Sequence, residues 1–122
     1  MTSILAGRPI LIVEDEPFIA LDIASSFETA GAVVITAFSL ERALELLENH
    51  DWAGAVVDYG LDGRDSAICE WLHKRAVPLV ICTGFDEVTG ACAGGVQIAK
   101  PANADDIVRV MERLAASRHQ PA

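Results

Sequence analysis

The sequence predicts an α/β fold of the doubly wound kind, a parallel sheet with helices on both faces. Five short apolar runs, Ile10 to Val13, Val33 to Ala37, Ala53 to Val57, Leu79 to Cys82 and Val96 to Ala99, recur about every 20 to 25 residues. Most of the segments between them place apolar residues at helical spacing. The runs are apolar throughout rather than alternating, as strands buried on both faces are, and right-handed crossovers then put helices on either side.

Each element follows from local chemistry. The first connection has Pro17 where a helix would begin, Ile19, Ile23 and Phe27 at i, i+4 and i+8, and Gly31 as the natural residue past its end. The second has Ser39 as N-cap candidate with Leu40, Ala43, Leu44 and Leu47 on one face. In the third, Asp65 or Ser66 leads into Ile68, Trp71 and Leu72. After the last run, Asn103 and Asp106 match a capping box, and Ile107, Val110, Met111 and Leu114 carry the stripe to a polar tail at Ser117. The fourth connection differs. Gly84 to Gly95 is a stretch of twelve residues with four glycines, and each glycine costs a helix about 1 kcal/mol relative to alanine, so at most one or two turns are expected.

Length and charge bound the function. With 122 residues, 52% apolar and 22% charged, residues 1–122 suffice for a single domain with its core from about residue 8 to about residue 117. Nine basic against 18 acidic side chains give a net charge of −9, which is unsuited to neutralising a phosphate backbone, so no direct nucleic-acid partner is expected. No apolar run approaches the ~20 residues that span a bilayer, and Met1 to Arg8 lacks the features of a secretory signal, so no membrane partner and a cytoplasmic location are expected. Cys69, Cys82 and Cys92 form no CxxC pair and leave one over, which suits a reducing compartment better than a disulfide framework. Cys82, inside an apolar run, reads as a small core hydrophobe.

The chemistry gathers where such sheets bind ligands, outside the carboxyl ends of the strands. The first run leads into Glu14-Asp15, the third into Asp58, the fourth into Thr83 and the fifth into Lys100-Pro101. Three carboxylates repel, and at ~4 Å with an effective dielectric of ~20 each pair costs around 4 kcal/mol unless one is protonated or a cation intervenes. Donors that are all oxygen, with no His or Cys near, select a hard divalent ion, Mg²⁺ above all. With Lys100 as a second positive charge and Thr83 as a hydroxyl donor, the pocket then fits a phosphoryl group. The role left for Asp58 is nucleophile, forming an aspartyl phosphate by positioning and electrostatics. Singly, each residue has a plainer reading: a strand-end acid caps a helix, as assigned to Glu16, a lysine before proline is surface, and a strand-end threonine helps a turn. Their conjunction on one rim points to a site.

At these residues the chain resembles the receiver domain of two-component response regulators. Ile12-Val13-Glu14-Asp15-Glu16-Pro17 matches the acid-pair motif, Val56-Val57-Asp58 the phosphoacceptor strand, and Thr83-Gly84 and Lys100-Pro101 the remaining motifs, over essentially the whole chain. The resemblance implies the flavodoxin-like strand order 2-1-3-4-5 and a cis Lys100-Pro101 bond. It further implies phosphorylation of Asp58 by a histidine kinase or a phosphotransfer protein of a phosphorelay. Mg²⁺ would be held by Glu14, Asp15 and Asp58 with the Gly60 carbonyl as a further ligand, and Thr83 and Lys100 would contact the phosphoryl group. On that reading the chain is a signalling phosphoprotein rather than an enzyme. Ile81-Cys82-Thr83-Gly84-Phe85 and the shortened fourth connection are similar to stand-alone receivers named for a Phe-Ala-Thr-Gly motif. The chain departs from the family pattern where Tyr59-Gly60-Leu61-Asp62-Gly63 replaces the usual Met-Pro, where Gln97 stands in the place of a switch aromatic, and where Asp86 stands for a tyrosine. With no output domain expected after Arg118, the signal would leave through a downstream protein partner, by phosphorylation-dependent binding or phosphotransfer.

Competing readings come from other classes. A receiver-fold binding module without a phosphorylation switch is compatible with Gln97 and the glycine-rich fourth connection. A phosphohydrolase of the haloacid-dehalogenase type needs a second carboxylate two residues after the nucleophile, where Gly60 stands. A nucleotide or flavin carrier needs a glycine-rich phosphate loop in place of Glu14-Asp15-Glu16. Trp52 and Trp71 read as half-buried packing and Tyr59 as packing or a partner contact, while Phe85 is a candidate replacement for the switch aromatic. His50, His73 and His119 read as surface.

Overall fold

The computed structural model describes residues 2–60, 65–84 and 87–118. Strands β1 (Pro9–Val13), β2 (Val33–Ala37), β3 (Gly54–Asp58), β4 (Leu79–Thr83) and β5 (Val96–Ala99) form one parallel sheet in the order β2-β1-β3-β4-β5. Helices α1 (Pro17–Thr29), α2 (Leu40–Leu46), α3 (Asp65–Lys74) and α4 (Ala104–Arg118) fill the connections, with short 3-10 helices at Leu47–Asn49 and Gly90–Gly94. This is the flavodoxin-like order.

Capping chemistry sets the helix boundaries. Glu16 is the N-cap of α1, its Oε1 accepting from the Phe18 N–H at 3.0 Å, and Pro17 follows as the first helical residue. Gly31 ends the segment at φ +90°, a backbone conformation that a side chain would strain. Ser39 Oγ accepts from the Arg42 N–H at 3.2 Å, and Asn103 Oδ1 accepts from the N–H groups of Asp105 and Asp106 at 2.9 and 3.3 Å.

Alternate strand residues divide the interior in two. Leu11, Val13, Ala55, Val57, Leu79 and Ile81 pack with Trp52 and with side chains of α2 and α3. Ile10, Ile12, Val56, Val80 and Cys82 pack with Phe27 of α1 and with Ile107 and Met111 of α4. Trp52 is buried outright rather than half-buried, and its Nε1–H donates to the Leu47 carbonyl at 2.9 Å. Trp71 is half-buried with the Arg75 guanidinium 3.7 Å over its ring. His50 and His73 are exposed.

Four expectations need correction. Ile19 and Leu44 are exposed, so the inner face of α1 runs through Ala20, Ile23, Ala24 and Phe27, and that of α2 through Leu40, Ala43 and Leu46. Burial on both faces holds for β3 and β4 and nearly so for β1, but the edge strands β2 and β5 are largely half-buried or exposed. At β5 the reason is the fourth connection, whose described part forms only the five-residue 3-10 helix, as the glycines require, and leaves the strand thinly covered. Finally, Cys69 of α3 and Cys92 of that 3-10 helix are joined in a disulfide, and Cys82 is the free, buried cysteine. The pair was invisible to spacing because its members lie 23 residues apart on different elements, and the cysteines therefore give no argument for a reducing compartment. Lys100-Pro101 is cis. Among the described residues, no helix is long and apolar enough to cross a membrane. Leu61, Asp62, Gly63, Phe85, Asp86 and His119 lie outside the described residues.

Candidate functional site

Strand register builds the site. Val13 pairs with Val57, Asp58 with Cys82 and Thr83 with Ala99, so Glu14 stands level with Asp58 and Lys100 lies one step past Thr83. The ladder continues beyond the strands, with the N–H groups of Glu14, Tyr59 and Lys100 donating to the carbonyls of Ala37, Cys82 and Thr83 at 3.0, 2.9 and 2.8 Å. The backbone ladder thus reaches the carboxyl edge, where the site residues stand.

The side chains converge there. Glu14, Asp15 and Asp58 each place a carboxylate oxygen within 4.8 Å of the others. Glu14 is 3% exposed and Asp58 7%, whereas Asp15 faces solvent. The Lys100 ammonium forms an ion pair with Asp58 Oδ1, and Thr83 is buried at the end of β4. Gly60 has φ +103°, the left-handed region that favours glycine, which turns the chain sharply two residues after Asp58. All six residues singled out from the sequence therefore lie at the same edge.

The electrostatics show an excess of negative charge. Burial pushes the Glu14 carboxyl up to about 7, with the hydrogen bond and charge of Asp58 adding to it and the Glu16 N–H, 3.2 Å from Oε2, opposing it. Burial alone would lower Lys100, but the hydrogen bond and charge of Asp58, helped by Glu14, outweigh it and hold the ammonium above its ordinary value. Burial, then the charge of Asp58, pushes the Cys82 thiol up to about 11, which keeps it protonated and supports its reading as a core side chain. A buried carboxyl that holds its proton to near neutrality beside two others is what a cation would relieve, and a donor set of carboxylate oxygens fits magnesium.

Neighbouring residues complete the edge. Tyr59 is half-buried against the α2/α3 side of the core, and its hydroxyl accepts from the Thr89 N–H at 3.4 Å. Gln97, three residues before Lys100, is exposed on β5. One feature escaped sequence reasoning: Phe18, 82% exposed, with Ile19 and Leu21 forms an apolar face on α1 beside the acids. A groove lined by Phe18, Ile19, Asp22, Lys100, Pro101 and Ala102 runs from it to the rim. The available signal was that Phe18 and Leu21 fall outside the inward stripe of α1 yet are large and apolar.

No family model matches the chain. The transcriptional regulatory protein PdtaR of Mycobacterium tuberculosis is 33% identical over 119 residues, an alignment that takes in 91% of this chain and 58% of that protein. The chain thus spans little more than half the length of that curated relative. Among solved structures, a CheY-like response regulator receiver domain protein from Methanospirillum hungatei superposes with a TM-score of 0.82 at 24% identity, covering 93% of this chain and 97% of that one. The receiver domain of a sensor histidine kinase from Pseudomonas aeruginosa, solved with a magnesium ion coordinated in its active-site cleft, superposes at 0.74 with 23% identity, covering 91% and 99%. With the strand order and the structural superpositions in agreement, the chain has the fold of response regulator receiver domains, and its sequence is similar to part of a response regulator.

Proposed function

We propose that the chain accepts a phosphoryl group on Asp58, in a magnesium-dependent reaction, from the phosphohistidine of a histidine kinase or phosphotransfer protein. It then signals through phosphorylation-dependent protein binding or onward phosphotransfer. The observation that carries this reading is a buried Asp58 flanked by Glu14 and Asp15 on one side and by the Lys100 ammonium on the other. In the same proposal the chain is a cytoplasmic receiver of the Phe-Ala-Thr-Gly type, a phosphoprotein rather than an enzyme with its own substrate.

Glu14, Asp15 and Asp58, with the Gly60 carbonyl, would hold Mg²⁺, which when bound supplies positive charge against the phosphoryl oxygens. The other Asp58 carboxylate oxygen attacks phosphorus, so an O–P bond forms as the N–P bond to the donor imidazole breaks and that nitrogen keeps the electron pair. Lys100, held charged by its acidic neighbours, exchanges its Asp58 partner for a phosphoryl oxygen, and Thr83 donates its hydroxyl to another. The apolar face of Phe18, Ile19 and Leu21, next to this edge, is where the donor protein would dock. Incubation with acetyl phosphate and Mg²⁺ should add the mass of one phosphoryl group to the wild-type chain and none to Asp58→Asn; a wild-type chain that gains no mass refutes the proposal.

Exposed Gln97 favours a second reading, a binding module whose partner ignores the phosphorylation state. It is distinguished by a partner that binds wild type and Asp58→Asn equally well.

A further inference from the structure

Outside the acidic edge, the nucleophilic groups that meet are Cys69 and Cys92, with Cα atoms 5.0 Å apart. Cys92 belongs to the 3-10 helix Gly90–Gly94, which packs on α3. Its N-cap Thr89 makes no side-chain capping bond, Gly90 sits at φ +67°, and Cys92 is its one buried residue. The bridge ties this segment covalently to α3. The same segment reaches the acidic edge, because the Thr89 N–H donates to the hydroxyl of Tyr59, the residue after Asp58. Tyr59 also packs on the cluster that contains Cys69, Val88 and Cys92.

We propose that Cys69 and Cys92 form a reversible thiol–disulfide site, and that its state sets how firmly the 3-10 helix, and through Thr89 and Tyr59 the edge beside Asp58, is held. The part concerning Asp58 rests on the phosphoacceptor reading; the thiol chemistry does not. Oxidation takes two protons and two electrons from the thiols and delivers them to a low-molecular-weight disulfide such as oxidised glutathione, which is cleaved to two thiols through a mixed disulfide. Reduced glutathione reverses the step. Both sulfurs are buried, so exchange proceeds through local opening of the five-residue 3-10 helix without global unfolding. Where disulfides occur in cytoplasmic proteins they are mostly of this transient or sensing type, which fits the proposed location.

The test uses the whole chain equilibrated in glutathione buffers, with thiols counted by alkylation and mass spectrometry and amide exchange followed over residues 87–95. The chain should pass from dithiol to disulfide across the buffer series, and reduction should speed exchange of those amides about tenfold. Cys92→Ser and Cys69→Ala should exchange like the reduced chain and ignore the oxidant. Labelling of Asp58 by acetyl phosphate should differ about threefold between the two states. Thiols that stay free at every ratio, a disulfide that resists reduction in the folded chain, or exchange that is the same in both states overturns the site. Equal labelling overturns its coupling to Asp58. If neither state is labelled at all, the phosphoacceptor reading falls and the thiol site is judged on exchange alone.

Discussion

Glu14→Gln separates the charge of the acid cluster from its shape. The amide keeps an oxygen for the Glu16 N–H and nearly the same volume, but cannot ionise. In the native chain burial and Asp58 push Glu14 from 4.5 to about 7. A folded chain that holds a proton the unfolded chain has released loses stability as pH rises, so the penalty is absent below about 4.5, grows through the window and is complete above about 7. At about 1.4 kcal/mol per pH unit it reaches about 3 kcal/mol. Urea unfolding in EDTA should therefore show Glu14→Gln gaining on wild type by about 2 to 3 kcal/mol between pH 5 and pH 8. At pH 8 magnesium should return stability to wild type, about 2.7 kcal/mol at one hundred times its dissociation constant, and much less to the amide variant. A difference between the two proteins that stays flat from pH 5 to 8 refutes the account of a strained acid cluster.

Three further outcomes follow from the same structure. Asp58→Asn removes a charge that raises Glu14, so the Glu14 carboxyl should titrate closer to its ordinary value by carbon-detected NMR; a value still at about 7 assigns the shift to burial and Asp15 instead. Trp52→Ala empties a fully buried site and frees the Leu47 carbonyl, and should cost about 3 to 5 kcal/mol in urea unfolding, whereas a loss under about 1 kcal/mol means the pocket collapses. Reducing the Cys69–Cys92 bridge, which closes a loop over a separation of 23 residues, should lower stability by about 3 kcal/mol, read as a drop in melting temperature with reductant that Cys92→Ser does not show.

What was legible in the sequence is what local chemistry dictates. Ser39, Asn103 and Pro17 mark helix starts because caps act within one turn. The rim residues are legible as a group because parallel strands fix which positions lie level, and Glu14, Asp58, Thr83 and Lys100 all follow apolar runs. Ile19 and Leu44 were misassigned for a geometric reason. An apolar stripe is wide enough that periodicity admits either flank, and only packing shows that Ala20 rather than Ile19 turns inward. The disulfide was illegible because it depends on how the crossover from α3 through β4 lays the 3-10 helix back on α3.

The fourth connection ties these points together. In the family pattern an aromatic at the position of Gln97 carries the response, and such a side chain can drive a change only if its two orientations differ in free energy. Gln97 pairs with Ile81 in register but remains exposed on a strand that the short 3-10 helix barely covers, so turning it buries almost nothing. If Asp58 is phosphorylated as proposed, a signal leaving it would travel by groups whose contacts change. The groups placed for this are Lys100, ion-paired with Asp58, and the hydrogen bond from Thr89 to Tyr59, which joins the residue after Asp58 to the segment that carries Cys92. On the proposed function, backbone and hydroxyl contacts would take the place of a swinging aromatic ring, in a segment whose glycines disfavour a full helix.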